Sequence, residues 1–303
     1  MFLKLFFIFI TSLFCFWALI YILNKRHIFQ YIYKLTPPTH QHKTHIPSFG
    51  GCVFLLMIIL SYFLFEFTTP KIGWILCCFF TFSLIGFGDD LISALRHKND
   101  GLSAKAKFLL QCLSACLLML YFHFYIEPLS LFYFLFFIFL FVATSNACNL
   151  SDGLDGLLTG SSLISLGSFS LLFFHMQLPI FSLFCFCLMS ILSAFLFFNR
   201  HPAVLFMGDT GSLALGAFFV ALACCANNPW VLLAFAALFL IEALSVILQV
   251  SYFKTTKKRF FLMAPLHHHF ECLGLNERHI VLIFWIIHLL FCSIYLVKLF
   301  NFM

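Results

Sequence analysis

Charge is what this sequence has least of: 9% of its 303 residues are Asp, Glu, Lys or Arg, against 63% that are hydrophobic. A soluble domain runs near a quarter charged, so a soluble globular protein is excluded. Alternating polar and apolar segments of about ten residues are missing as well, which excludes a transmembrane β-barrel. Although there are 13 cysteines, no paired-cysteine zinc spacing occurs. Most of the thiols, such as Cys15, Cys77, Cys78, Cys185, Cys187, Cys224 and Cys225, lie inside apolar runs, where they act as small hydrophobes. A basic domain is absent, so nucleic-acid binding has nothing to carry it. No cleavable leader is expected, because the first apolar run is long enough to span and lacks a small-residue cleavage site. The 47 phenylalanines read as lipid-facing and packing residues and carry no functional inference.

What is present is a series of apolar stretches of about 20 residues, the length that crosses a hydrocarbon core of about 30 Å. The expected fold is an all-α membrane protein of about ten transmembrane helices in a single domain, residues 1–303. The spans fall near 2–23, 49–65, 72–88, 105–125, 129–147, 157–174, 179–198, 210–226, 229–250 and 280–300. Alternating the breaks across a membrane puts 14 of the 17 lysines and arginines on one side. Only Lys4, Lys71 and Lys298 fall on the other. The basic side is therefore predicted to be cytoplasmic, with both termini outside. The net charge of +6 concentrates there, which suits anionic lipid head groups and phosphorylated substrates.

The acids follow the same rule. Asp89, Asp90, Asp100, Asp152, Asp155 and Asp209 all fall in breaks on that one side. A chain this apolar has little reason to hold carboxylates except for chemistry, so one active site at one membrane surface is expected. Asp89 and Asp90 are predicted to end the third span. Two like charges about 4 Å apart repel by about 4 kcal/mol at an effective dielectric near 20, and a helix carboxyl end adds to the penalty. A divalent cation or a shared proton relieves both; a solvated cap is the structural alternative. In the next break Asn146, Asn149, Asp152 and Asp155 recur every three positions, which keeps them on one slowly rotating stripe of a helix or tight turn. Asp209 suits either a cap for the eighth span or a hard oxygen ligand. Phe206 beside it can stack a base or anchor the interface.

Two further loops carry polar groups. Lys43 and Ser48 flank Pro47 and precede Gly50-Gly51; a lysine and a hydroxyl beside glycines can hold a phosphate, or the lysine can simply set topology. Near the carboxyl end, His267, His268 and His269 follow Ala264-Pro265. Three consecutive histidines cannot face one point on a helix, but in an extended segment the first and third share a face. A metal site lacks a completing cysteine–histidine set. Hydrogen bonds to phosphate suit imidazoles better.

Five segments together resemble the polyprenyl-phosphate N-acetylhexosamine-1-phosphate transferase superfamily, closest to its phospho-N-acetylmuramoyl-pentapeptide transferase branch. They are Gly86–Asp90, Asn146–Gly156, Phe206–Gly216, Glu242–Gln249 and Met263–Gly274. The three histidines followed by Phe-Glu are the part most specific to the muramoyl branch. The resemblance implies attack of undecaprenyl phosphate on UDP-N-acetylmuramoyl-pentapeptide, giving lipid I and UMP, with Mg²⁺ required. It implies a bacterial plasma-membrane enzyme among membrane lipids, and a dimer whose interface the sequence does not reveal. By the same resemblance Asp89 accepts the proton of the lipid phosphate or, in a two-step route, acts as covalent nucleophile, Asp90 orients the polar cluster or cation, and Asp209, with Asp152, binds Mg²⁺. Asn146, Asn149, Asp152 and Asp155 hold the nucleotide or the metal surroundings, and Phe206 stacks uracil. Lys43, Ser48 and Lys107 line the phosphate pocket, while His267 to His269 contact the diphosphate or sugar. The family's usual lysine three residues after the second aspartate is Ser93 here, with Arg96 or Lys98 as replacements. Other branches, which use UDP-N-acetylglucosamine or another UDP-sugar, carry differently spaced basic residues in place of Met263–Glu271. A transporter would place its ionisable groups near the midplane, where only Glu242 lies, and a lipid-binding scaffold would not need five gathered aspartates.

Overall fold

Backbone N–H and C=O groups find no water in hydrocarbon, so apolar runs close their hydrogen bonds internally as helices. The computed structural model describes residues 1–29, 46–96 and 101–301, and among these there are helices and no strands. In chain order the helices are α1 (Phe2–Lys25), α2 (Gly50–Leu64), α3 (Pro70–Arg96), α4 (Ala104–Tyr125), α5 (Leu131–Leu150), α6 (Leu157–His175), α7 (Pro179–Asn199) and α8 (Gly208–Cys225). The short α9 (Leu232–Phe235), α10 (Ala237–Thr256), the short α11 (Leu266–Cys272) and α12 (Glu277–Asn301) complete the chain. Among the described residues nine helices are long and apolar enough to cross a membrane, and the 15-residue α2 is a shorter apolar helix. The protein is a multi-pass membrane protein, as its hydropathy requires.

The axis of the bundle is α8. Its most apolar stretch is 94% buried, against 17% in α1, and it packs most extensively on α3 and α5. Small side chains make this possible, because they let backbones come close where hydrocarbon offers no driving force of its own. A Cβ on Gly86 of α3 would lie 2.1 Å from the Asp209 carbonyl oxygen, and one on Gly216 would lie 2.4 Å from Ser145 Cα on α5.

Three boundaries differ from the sequence expectation. The third span does not end at Asp89-Asp90: α3 continues to Arg96, because the following residues are good helix formers and the carboxylates find partners across the helix interface. The ninth span is interrupted. Pro229 opens a 3₁₀ turn, α9 lasts four residues, and Ala236 breaks helical geometry before α10 begins. The three histidines lie on a helix, α11, and not on an extended segment, so His267 and His269 do not share a face.

The two ends of the bundle have different chemistry. At one, Lys71 pairs with Glu127 at 2.6 Å and Asn227 donates to the same carboxylate at 2.9 Å. Lys4 Nζ donates there to the Leu64 carbonyl at 2.9 Å. The opposite end, formed by the carboxyl ends of α3, α5 and α7 and the amino ends of α4, α6, α8 and α12, holds Asp89, Asp90, Asp152, Asp155 and Asp209.

Candidate active site

The helix that most needs a cap supplies none itself. The residue before α8 is Met207, which has no side-chain acceptor for the free N–H groups of the first turn. Asp90 on α3 takes that role from across the interface. Its Oδ1 accepts from the Asp209 N–H at 3.0 Å, and its Oδ2 accepts from the Thr210 N–H at 2.9 Å and the Thr210 hydroxyl at 2.5 Å. A carboxylate at a helix amino end is favourable both as acceptor and against the dipole. Gly208 adopts φ +71°, and a Cβ there would fall 2.5 Å from the Asp90 carboxylate; only glycine allows this approach. Asp90 is thus a fixed part that aims Asp209.

One helical position earlier, Asp89 faces the start of α4. Its Oδ1 accepts from the Leu102 N–H at 2.9 Å. Lys107, on the first turn of α4, reaches between the two helices: its ammonium bonds the Asp209 carboxylate and stands 3.8 Å from Asp89 Oδ2. Asp89, Lys107 and Asp209 each keep 16–25% of their side-chain surface exposed, so the group is reachable. Ser48 is buried beside Gly208, and its hydroxyl has no partner among the described residues. Among the described residues, the Asp89 and Asp209 carboxylates face the Lys107 ammonium and offer hard oxygen donors. That donor set fits a small divalent cation.

A second group lies at the same end. Asp155, in the turn between α5 and α6, is buried; its Oδ2 accepts from the Ala203 N–H at 3.0 Å and meets His201 Nδ1 at 3.1 Å. Glu277, opening α12, meets the same imidazole nitrogen at 3.2 Å and accepts from the Asp155 N–H at 2.7 Å. The ligand atoms of Asp155, His201 and Glu277 all lie within 4.8 Å of one another, a spacing that could hold a metal ion. His201 and Glu277 escape a sequence reading that weighs aspartates alone. Their signal is nonetheless there: each is an ionisable residue in a short break of a chain with few of them.

The remaining expected residues are spread between these groups. Asn146 on α5 donates to the buried Gln111 of α4 at 2.6 Å and to the Val142 carbonyl at 2.8 Å, so it ties helices together. The Asn149 amide nitrogen is buried and has no partner among the described residues. The series at every third residue begins on α5 and passes onto a turn at Ser151–Gly153, with Asp152 half-buried there. Phe206 is half-buried, and its backbone is locked to the preceding loop: its N–H donates to Pro47 O and its carbonyl accepts from Gly50 N–H, both at 2.9 Å. Arg96 donates to the Gly101 carbonyl at 3.3 Å. Lys43 and Lys98 lie outside the described residues.

Each histidine of the triple has its own surroundings. His267 is wholly buried, 3.3 Å from Glu242 Oε2 of α10. His268 Nδ1 meets Glu271 Oε2 at 2.7 Å. His269 Nδ1 accepts from the Leu262 N–H at 3.2 Å, which leaves a neutral ring its proton on Nε2. Three imidazoles in a row thus offer three different hydrogen-bonding faces.

Known proteins agree with the motifs. Residues 71–227 match glycosyl transferase family 4. The chain is 39% identical over 267 residues to the phospho-N-acetylmuramoyl-pentapeptide-transferase of Listeria welshimeri, covering 82% of each chain. It is also 39% identical over 287 residues to the protein of that name from Staphylococcus epidermidis, covering 88% of this chain and 89% of the relative. Over 283 residues it is 39% identical to that from Staphylococcus haemolyticus, covering 87% and 88%. With matches of this identity spanning the bundle and the acidic breaks alike, the chain belongs to glycosyl transferase family 4 and to the phospho-N-acetylmuramoyl-pentapeptide-transferase family.

Proposed function

We propose that the protein transfers phospho-N-acetylmuramoyl-pentapeptide from its UDP-linked precursor to undecaprenyl phosphate, releasing UMP and leaving lipid I in the membrane. The observation that carries this is the convergence of Asp89, Asp90, Asp209 and Lys107 at one end of the bundle, where α3, α4 and α8 meet. Displacement at phosphorus needs little covalent help from a protein; positioning and charge stabilisation supply most of the rate. That end faces the cytoplasm, since it carries most of the lysines and arginines, and both termini lie outside. The membrane is the bacterial plasma membrane, and the whole chain acts as one transferase domain.

Asp89 is partly exposed and leaves the first turn of α8 to Asp90, and it accepts the proton of the lipid phosphate. Lys107 keeps the Asp209 carboxylate in place and presents its ammonium to the diphosphate. Asp90 fixes the first turn of α8. Asp209, with Asp152, would hold Mg²⁺, which draws charge off the diphosphate when bound. Asn149, Asp155 and the Phe206 ring serve the nucleotide, Ser48 and Lys43 the phosphates, and the His268 and His269 imidazoles the diphosphate or sugar.

The test is UMP release by the purified protein in detergent with undecaprenyl phosphate and either UDP-N-acetylmuramoyl-pentapeptide or UDP-N-acetylglucosamine, with and without Mg²⁺. Mg²⁺-dependent release with the muramoyl donor alone is expected. Release only with the other donor would overturn the donor assignment, and none with either from folded protein would overturn the reaction.

A further inference from the structure

Glu242 and His267 are the most deeply buried ionisable pair at this end, with side chains 0% and 1% exposed. Their 3.3 Å contact is the only polar contact either side chain makes among the described residues, since neither carboxylate oxygen nor either ring nitrogen has a hydrogen-bond partner there. A buried polar group left without any partner is costly, so the two side chains hold each other in place. They join α10 to α11, which is seven residues long and too short to keep its position alone.

The imidazole is confined from the other side too. Its Nε2 rests against the Asp152–Gly153 turn, where a Cβ on Gly153 would lie 2.2 Å away. Seven residues along the same face of α10, Gln249 Oε1 accepts from the N–H groups of Phe260 and Phe261 at 3.1 and 2.8 Å. Gln249 therefore fixes the start of the loop that leads to the histidines, and Glu242 fixes its end. His268 packs against the fixed ring at a tilt, with centroids 4.2 Å apart and the planes 59° from parallel.

We propose that Glu242 is a positioning residue for the UDP-linked donor: through His267 it sets α11, and with it His268 and His269, against the Asp152 turn. This rests on the transfer reaction proposed above, in which α11 serves the donor and Asp89 the lipid acceptor. The test measures KM for each substrate separately in full-length Glu242→Ala, purified alongside the wild type. Partial unfolding lowers the number of working molecules and hence the maximal rate, but leaves KM unchanged. Loss of positioning raises the donor KM by about tenfold or more and leaves the undecaprenyl phosphate KM within about twofold. A donor KM within about twofold of wild type, or equal rises for both substrates, overturns the assignment. If Glu242→Ala does not yield folded protein, Gly153→Ala displaces the same ring from the opposite side, with the same expected and overturning results. Wild-type protein that releases no UMP fails the reaction itself, a different result from a wild type that turns over and a variant with unaltered KM.

Discussion

Replacing Asp90 and Asp89 one at a time by Asn separates a carboxylate that builds the site from the one proposed to accept a proton in it. Asp90 faces three donors, two backbone N–H groups and a hydroxyl. An Asn amide has only one acceptor atom, so whichever way it turns, its NH₂ confronts at least one of those N–H groups. One charge-assisted bond is lost, worth about 1.5–3 kcal/mol, and the survivors weaken to neutral bonds. The favourable interaction with the α8 dipole, about 0.3–1 kcal/mol, goes as well. The total is about 3 kcal/mol, or about 6 °C in the unfolding midpoint at the roughly 2 °C per kcal/mol of a large domain. Asp89→Asn keeps an acceptor for the Leu102 N–H and weakens a 3.8 Å contact with Lys107 on a partly exposed surface, about 1 kcal/mol or less.

Thermal unfolding in detergent and UMP release read the two effects independently. Asp89→Asn is expected to keep its midpoint within about 2 °C of wild type while turnover falls by about 10² or more, the scale of a lost proton acceptor. Asp90→Asn is expected to lose both stability and turnover. Equal midpoint shifts for the two variants would refute the division of labour, and near-normal turnover in folded Asp89→Asn would refute its role.

How far the sequence reaches depends on what each residue's partner is. The acids stand out because nothing else in an apolar chain of this kind explains them, and the positions of the breaks alone are enough to gather them at one end. Asp90 is different. Its sequence context suggests repulsion with Asp89, but successive residues on a helix point about 100° apart. One carboxylate thus turns to α8 and the other to α4. That resolution depends on Gly86 and Gly208 letting α3 and α8 approach, a tertiary fact with no local signature. The same holds for Asp155, whose partners His201 and Glu277 lie 46 and 122 residues away. His267 is the clearest case. Three adjacent histidines read as one surface motif, yet the first is buried against Glu242 from the preceding span, because a helix of this length must bury one of its faces to stay docked.

Three further comparisons test other parts of the structure. Gly86→Ala puts a Cβ 2.1 Å from the Asp209 carbonyl, whereas Gly88→Ala meets nothing within 4 Å among the described residues. The first should cost about 1–3 kcal/mol by overpacking and lower turnover, and the second should gain about 0.5–1 kcal/mol from helix propensity; unfolding midpoints that fail to separate the two would refute the close approach of α3 and α8. Phe206→Ala leaves the backbone bonds to Pro47 and Gly50 intact, so it should weaken binding of the UDP-linked donor about tenfold, the loss of about 1–1.5 kcal/mol of ring contact, with the lipid KM unchanged; equal donor affinity would remove the stacking role. At the opposite end, Lys71 and Asn227 hold the Glu127 carboxyl below the usual glutamate range. A depressed carboxylate contributes stability that is present above its unfolded pKa and is lost as pH falls through the folded value. The unfolding midpoint of the wild type should therefore drop on acidification through that window by more than that of Glu127→Gln, which has no proton to gain there. Because this carboxylate ties α3, the α4–α5 loop and the residues after α8 together, parallel acid profiles for the two proteins would mean that the far end of the bundle is held by packing alone.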